Sequence, residues 1–280
     1  MENSTKKEMA SAWFENLRNQ LCSAFEQIEE EYANKNNLVP GKFVRKRWQR
    51  DGGGGGEMSV MKGNVFEKVG VNISTVFGEF SDFMMKEIPG AKEDPKFFAT
   101  GVSLVSHMKS PHVPAAHFNT RYIATTKDWF GGGGDLTPLY PNDEETFKFH
   151  ENFKNACDKH NPEYYPKFKK ECDEYFFLHH RGEPRGVGGI FYDYLNTGDF
   201  EKDFAFTKDV GLAFLAAFPE AIRPQMHNSW SDSERRELLV KRGRYVEFNL
   251  LHDRGTKFGL MTGGNVDAIL MSMPPEVLWD

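Results

Sequence analysis

The stretch GVSLVSHMKSPHVPAAHFNTRYIATTKDWFGGGGDLTP, residues 101–138, decides the fold, because it predicts a β-hairpin followed at once by a glycine run. Two alternating segments flank the turn-prone MKSPHVP, in which Pro111 and Pro114 interrupt any strand. The glycine run, Gly131 to Gly134, ends in the carboxylate of Asp135. The predicted hairpin and the glycine run therefore place chemically distinctive side chains, such as the carboxylate of Asp135, on a rigid β-scaffold.

One face of the predicted hairpin is polar. Because side chains alternate between the two faces of a strand, Ser103 and His107 share a face of the first strand, and His117, Asn119 and Arg121 share a face of the second. Antiparallel pairing about the loop brings His107 near His117. A wall of imidazole, amide, hydroxyl and guanidinium groups is typical of an active site.

Composition excludes several classes of protein. A net charge of −6 over 280 residues argues against a nucleic-acid binder, which needs a basic surface. No apolar run approaches the roughly 20 residues of a membrane helix, and the N-terminus has neither a signal core nor a transit-peptide composition. The 25 phenylalanines favour a well-packed globular protein. The three cysteines, with no CxxC pair, indicate reduced thiols in the cytoplasm.

The periodicity predicts an α+β fold with a large, mostly antiparallel sheet, because strands come in adjacent runs. Residues 1–280 are expected to form a single domain, with residues 1–40 as an N-terminal helical segment. Helices are predicted over 5–33, 143–180 and 200–218, the last ending at Pro219. Strands are predicted over 65–80, 97–108, 116–125, 245–253 and 267–273, and residues 186–195 are expected to be a strand or a loop loosened by glycines.

Four glycine clusters, 52–56, 131–134, 186–189 and 263–264, lack the lysine of a phosphate-binding loop. The five consecutive glycines at 52–56 are unsuited to a helix or strand interior. Asp135, followed by Thr137 and Pro138, has the pattern of a turn and a helix start. Glycines of this kind mark close approach of the backbone to a ligand or another strand.

Histidines and arginines suggest two kinds of site. His107, His117, His150 and His180 would suit zinc, copper or iron if they met, but no HExxH spacing exists and no sequence argument brings the last two to the hairpin. The arginines of HRGEPRG (180–186) and KRGRYVEF (241–248), with Arg50 and Arg121, suggest recognition of carboxylates or phosphates. Five aromatic residues could supply an apolar floor: Trp129, Phe130, Phe191, Tyr192 and Phe248.

Long motifs in this chain resemble those of the oxygen-dependent coproporphyrinogen III oxidases over roughly residues 40–280. They are WQRDGGGGGE (48–57), VFEKVGVN (65–72), PHVPAAHFNTRY (111–122), WFGGGGDLTP (129–138), HRGEPRGVGGIFYDYLN (180–196), KRGRYVEFNLLHDRGTKFGL (241–260) and ILMSMPP (269–275). The resemblance implies a soluble homodimer with a broad antiparallel sheet covered by helices on both faces. It also implies oxidative decarboxylation of two propionates of coproporphyrinogen III to vinyl groups, giving protoporphyrinogen IX in haem biosynthesis. Oxygen is the oxidant, and CO2 and hydrogen peroxide are released.

The resemblance also implies roles for individual residues. Asp135 would accept the pyrrole N–H groups and assist proton removal, Arg121 would hold a propionate or a developing anion, and His117 matches the proton donor. Positions that contact substrate in the family are Ser103, Asn119, Thr120, Arg121, Gly263, Gly264 and Asn265. Asn265 stands where the family has arginine, and the chain ends at Asp280 with a tail shorter than is usual in the family.

Metal use is the open point of this interpretation. His107, His117, His150 and His180 match the histidines proposed as metal ligands in some members. An electron-rich tetrapyrrole can react with oxygen once a pyrrole proton is removed, so the expectation is that no cofactor is required and that a divalent metal is the alternative. Two other classes compete with the enzyme: a tetrapyrrole-binding protein without catalysis, and a metal-dependent oxygenase. Retention of Asp135, Arg121 and His117 together favours the enzyme.

Overall fold

A computed structural model describes residues 2–82, 84–261 and 263–280. Those residues form the helices Asn3–Asn36 (α1), Asp143–Asp158 (α2), Tyr164–Tyr175 (α3), Phe200–Ile222 (α4), Asp232–Leu251 (α5), Arg254–Met261 (α6) and Val266–Ile269 (α7). Their strands are Val44–Gln49 (β1), Gly54–Met61 (β2), Phe66–Glu79 (β3), Lys96–Met108 (β4), Ala115–Ala124 (β5), Asp128–Thr137 (β6), Phe177–Leu178 (β7), Glu183–Pro184 (β8) and Gly188–Leu195 (β9). Among these described helices, none combines the length and apolarity needed to cross a membrane.

A seven-stranded antiparallel sheet organises the described residues, in the order β1-β2-β3-β4-β5-β6-β9, and β7 and β8 pair separately. Helices α1, α2 and α4 pack on one face, where Phe118 of β5 stacks on Phe214 of α4 at 4.6 Å between ring centroids. The segment from α5 to the 3₁₀ turn Leu270–Ser272 covers the other face, where Met271 lies so close to Gly70 that no side chain fits there. The α+β prediction is confirmed.

The last predicted pair of strands is wrong. Residues 245–253 belong largely to α5, and residues 267–273 form α7 and the 3₁₀ turn. The alternation in YVEFNLL suggested a strand, but Ser231 and Glu234 form a capping box that starts a helix. From there, Leu238, Arg242 and Tyr245 bury one helical face. Helix α4 also extends past Pro219 to Ile222.

The glycine runs are strands for most of their length. Gly54, Gly55 and Gly56 lie in β2, and the whole run Gly131–Gly134 lies inside β6. The second run is paired on both sides, with β5 and with β9, so its backbone hydrogen bonds compensate for the poor strand propensity of glycine. The expectation of a turn and helix start at Asp135 is therefore wrong, since Asp135 is a strand residue.

Glu29 fastens α1 to the sheet. Its side chain is fully buried, and its carboxylate accepts backbone N–H groups of Gly41, Asn64, Val65 and Phe66 at 2.7–3.2 Å. A carboxylate can be buried when several donors replace the water it loses. This one group holds both the β2–β3 turn and the segment before β1 against the helix.

Glu67 fastens α5 to the opposite face. It accepts both terminal nitrogens of Arg235 at 2.8 Å and one of Arg242 at 2.6 Å. Partial burial alone would raise the pKa of Glu67, but the hydrogen bonds and charges of the two guanidinium groups lower it to about 2. Arg242 therefore stabilises the fold and does not contribute to a ligand site.

We predict that Glu29→Gln lowers the free energy of unfolding by about 3 kcal/mol, because an amide presents an N–H to backbone donors that have no other acceptor. Glu30→Gln is the matched control, since the exposed Glu30 only pairs with Lys42 on the surface and should change stability by less than about 0.5 kcal/mol. Urea denaturation measures both. Equal effects of the two substitutions would contradict the role given to Glu29.

A pH-dependent loss of stability is expected from Glu67. Its folded-state pKa lies below the ordinary value of 4.5, so its contribution is complete above that pH and disappears as the pH falls towards 2. Glu67→Gln should therefore cost about 2 kcal/mol at pH 7 and progressively less between pH 4.5 and 2. Comparing denaturation midpoints of parent and variant across this range checks it; Glu276→Gln, at an exposed partner of Arg235, should show no such trend.

Candidate active site

A cavity of about 650 Å³ lies between the sheet and the α5–α7 cover. Its size is within the range of small-molecule sites. The strand side chains that face it come from alternate positions, among them Ser103, His117, Asn119 and Arg121. The cover contributes residues of α5 and α6 and the turn before α7. The polar face expected from the hairpin is therefore one wall of the cavity.

A buried ion pair lies behind that wall. Asp135 is 1% exposed and Arg185 is 2% exposed, and one guanidinium nitrogen contacts both carboxylate oxygens at 2.8 Å. Three aromatic rings surround the guanidinium carbon: Phe176 at 3.9 Å, and Tyr245 and Phe248 at 4.7 Å each. Burial alone would raise the pKa of Asp135, but the charge of Arg185 and the hydrogen bond from His117 hold it below the usual value. Asp135 is thus a fixed negative charge.

Asp135 also sets the tautomer of His117. An ionised carboxylate can only accept, so His117 Nδ1 donates to Asp135 Oδ1 at 3.0 Å. The other ring nitrogen, Nε2, then carries a lone pair and accepts from Asn119 Nδ2 at 3.1 Å. Asn119 Oδ1 in turn accepts from Arg121 at 2.8 Å, and the far end of Arg121 pairs with Asp193 at 2.9 Å. Every donor and acceptor in this chain of hydrogen bonds has a defined direction.

Strand register explains why these groups meet. Arg121, Asn119 and His117 lie directly opposite Gly131, Gly133 and Asp135 on β6. The two glycines leave the space beside Arg121 and Asn119 empty of side chains. A Cβ at Gly131 would lie 2.9 Å from the guanidinium carbon of Arg121.

The structure places the sequence-predicted contact residues at different depths. Ser103 lines the cavity opposite Asn119. Thr120 points to the other face of the sheet, where its side chain is fully buried, so it can offer the cavity only its backbone. Gly264 and Asn265 line the cavity, and Asn265 caps α7 by accepting the Ala268 N–H at 2.9 Å. Asp135 stays behind the wall, which differs from the expectation that it contacts a ligand directly.

Gly263 adopts a backbone φ of +69°, in the left-handed region, and no atom of the described residues would lie within 4 Å of a Cβ added there. Glycine is therefore needed for the turn itself and not for lack of space. Gly263 precedes Gly264 in the turn that brings the cover back over the cavity.

The four histidines considered as metal ligands are not brought together. Buried His107 donates to the Ser272 carbonyl at 2.9 Å, His150 contacts the Val187 carbonyl at 3.0 Å, and His180 donates to Glu247 at 2.8 Å. Within the described residues, no cluster of three or more histidine, cysteine or acidic side chains could hold a metal ion. These residues do not fit a four-histidine metal set, and no step below is routed through a metal.

His107 shows why strand face alone is insufficient. It shares a face with Val105, whose partner across the strands is His117. The imidazole of His107 is nevertheless buried under the α5–α7 cover, where its ring centre lies 4.9 Å from that of Tyr245. That burial lowers the pKa of His107 to about 3, so this imidazole is neutral.

Sequence reasoning flagged the arginines of 180–186 as a group but did not single out Arg185. Of the arginines in the two motifs, Arg185 reaches the cavity, whereas Arg181 and Arg244 pair with Glu247 at the surface. Among the other cavity residues that were missed are Asp193 and Arg254, and the guanidinium carbon of Arg254 lies 4.9 Å from the Tyr175 ring centre. The single acid within FYDYL (residues 191–195) was the available signal for Asp193.

The expected aromatic floor is only partly present. Trp129 and Phe191 line the cavity, while Phe130 and Tyr192 lie in the core on the opposite face of the sheet. Phe248 stands behind the cavity, against Arg185. Strand alternation separates neighbouring aromatics onto the two faces, which a count of aromatic residues cannot show.

Comparison with known proteins gives one consistent result. The family model for coproporphyrinogen III oxidase matches residues 9–280. Oxygen-dependent coproporphyrinogen-III oxidase of Rickettsia bellii is 68% identical over 277 residues, covering 99% of this chain and 99% of that protein. The proteins of the same name from Rickettsia africae and Rickettsia akari are 67% and 68% identical, covering 98% and 97% of this chain and 99% and 97% of their own lengths. The chain belongs to the oxygen-dependent coproporphyrinogen III oxidase family.

Proposed function

We propose that the protein oxidatively decarboxylates two propionates of coproporphyrinogen III, giving protoporphyrinogen IX in haem biosynthesis. The observation that carries the proposal is the cavity wall of His117, Asn119 and Arg121, backed by the buried Asp135–Arg185 pair, in a chain of this family. Each turnover converts one propionate, one O2 and one proton into a vinyl group, CO2 and H2O2. Carbon loses two electrons, and oxygen gains them.

The cavity suits a tetracarboxylate. Arg121 from the sheet and Arg254 from the cover present guanidinium groups to the cavity, and guanidinium binds carboxylate with defined geometry. We assign Ser103, Asn119 and the Gly263–Asn265 turn to substrate contact at the two sides of the ring system. Asn265 has no charge to give a propionate, so the cationic contacts come from the arginines.

We assign proton transfer to His117 Nε2. This nitrogen is an acceptor in the resting arrangement, because Asp135 keeps the proton on Nδ1. A substrate that takes over the hydrogen bonds of Asn119 would expose the Nε2 lone pair to a pyrrole N–H. His117 then takes the pyrrole proton and returns it once CO2 has left, which includes the donor role expected for it.

Asp135 acts through His117 in this proposal. It is screened from the cavity by Arg185 and the rings around it. A permanently ionised carboxylate at Nδ1 orients the imidazole and stabilises the imidazolium that forms when Nε2 is protonated. We therefore treat Asp135 as a positioning residue.

O2 is the co-substrate in this proposal, and the protein contributes binding, orientation and proton transfer. Once its nitrogen is deprotonated, the pyrrole is electron-rich enough to supply electrons to O2. We propose that no further cofactor is required. Measuring the oxidation of coproporphyrinogen III with and without a chelator tests this directly. Loss of activity on chelation would favour the metal-dependent oxygenase.

We also propose that two copies associate. Exposed apolar side chains concentrate on the outer part of the cover, where Leu250, Leu251, Leu260, Met261 and Val266 are 42–66% exposed. A concentration of apolar side chains of this kind marks an interaction surface.

We propose the cytoplasm as the compartment. Cys22, Cys157 and Cys172 are buried free thiols. Burial raises the pKa of Cys22 to about 11 and of Cys157 to about 12, so both are held as unreactive thiols. Reduced, unpaired cysteines suit a reducing compartment.

Incubation of the purified protein with coproporphyrinogen III and O2 should yield protoporphyrinogen IX, with two CO2 and two H2O2 per substrate. His117→Gln should lower kcat by about 100-fold or more, because no other group replaces the acid–base function. His227→Gln is the matched control and should retain the parental kcat, because His227 stacks on Tyr32 and lies far from His117 in the sequence. Binding of the tetrapyrrole without any product would support the non-catalytic binding protein.

Asp135→Asn should reduce kcat about 100-fold with little change in KM, since it disturbs the tautomer of His117 and not a substrate contact. A variant in which KM rises and kcat holds would restore Asp135 as a direct acceptor of pyrrole N–H groups. Because the substitution leaves Arg185 without its counter-charge, a thermal melt accompanies the kinetics. Kinetics are measured below the melting transition of the variant.

A further inference from the structure

Several features of the chain support the ion pair between Arg121 and Asp193. Asp193 Oδ2 lies 2.9 Å from the guanidinium, and both residues line the cavity. Gly131 makes room for the pair, because an added Cβ would lie 2.9 Å from both Arg121 Cζ and Asp193 Oδ1. Asp193 Oδ1 also accepts the N–H of Tyr194 at 3.0 Å.

The backbone at Tyr194 supports the same arrangement. Its φ is +53°, a left-handed conformation that residues other than glycine rarely adopt. Such conformations persist where the surrounding structure requires them and concentrate at functional sites. The same residue donates its backbone N–H to the carboxylate that Arg121 binds.

Three guanidinium groups that line the cavity therefore fall into two electrostatic classes. Arg121 is balanced by Asp193, and Arg185 is balanced by Asp135. Arg254 packs on Tyr175, and among the described residues no carboxylate lies within ion-pair distance of it. The two balanced arginines are the ones linked to His117, through Asn119 and Asp135 respectively.

The chemistry of decarboxylation explains why balanced and unbalanced arginines would have different roles. The reacting propionate carries a full negative charge before the reaction and leaves as neutral CO2 when its C–C bond breaks. An arginine with an unbalanced charge would stabilise the carboxylate more than the transition state, and such stabilisation slows the chemical step. A balanced arginine still orients the carboxylate through its N–H groups.

We propose that Asp193 is a positioning residue that balances the charge of Arg121, so that the cavity offers the substrate a charge-balanced guanidinium linked to His117 and an unbalanced one at Arg254. The reacting propionate lies against the balanced pair, and propionates that keep their charge lie against Arg254. This inference rests on the proposed function, because it assumes that Arg121 contacts the substrate.

The test separates turnover from binding. Asp193→Asn should lower kcat about tenfold and, at the same time, tighten the binding of coproporphyrin, the oxidised and unreactive tetracarboxylate, several-fold. Arg254→Gln should act in the opposite sense, raising KM and weakening coproporphyrin binding about tenfold. Asp232→Asn, at an exposed carboxylate at the start of α5, is the matched control and should change neither quantity.

Asp193→Glu restores the negative charge and should recover part of the lost kcat, which a purely structural role for Asp193 does not predict. If Asp193→Asn weakens coproporphyrin binding, or if it leaves kcat at the parental value, the proposal is overturned. Failure of the parent protein to turn over coproporphyrinogen would contradict the proposed function instead. The coproporphyrin titrations would still report on Asp193 in that case, because they require no turnover.

Discussion

The buried pair between Asp135 and Arg185 is the constraint on which the rest of the structure depends. Two opposite charges, 1% and 2% exposed, are tolerated because they pair directly and three aromatic rings enclose the cation. The pair joins β6 to the loop before β9, and the enclosing rings come from the end of α3 and from α5. A single electrostatic contact therefore locates the sheet, the loop and the cover relative to each other.

Strand register determines where the other site residues lie relative to Asp135. His117 receives its tautomer from Asp135 across the β5–β6 pairing, and the glycines opposite Asn119 and Arg121 keep the adjacent space open. A register slip of one residue would turn these side chains into the helix-packed face and bring Phe118 and Tyr122 into the cavity. Pairing of β6 on both sides, with β5 and β9, makes that slip costly.

Local pattern in the sequence was sufficient for the polar wall, because strand alternation alone puts Ser103, His117, Asn119 and Arg121 on one face. It was insufficient where a pattern fits two structures: the alternation in 245–251 suggested a strand, although the capping box at Ser231 starts a helix. Contacts between distant segments could not be predicted either. Arg185 meets Asp135 across 50 residues, and His107 is drawn under the cover by a carbonyl 165 residues away.

The clamp at Glu29 has a consequence for the order in which the chain becomes structured during synthesis. The donors to its carboxylate end at Phe66, so α1 can be fastened to the first hairpin early. The apolar face of α1 has a partner much later in the chain, since Phe25 packs against Phe218 of α4 at 5.7 Å. Until about residue 222 has emerged from the ribosome, the side of α1 that packs on α4 therefore has no partner in the nascent chain, and exposed apolar surface of this kind is prone to aggregation.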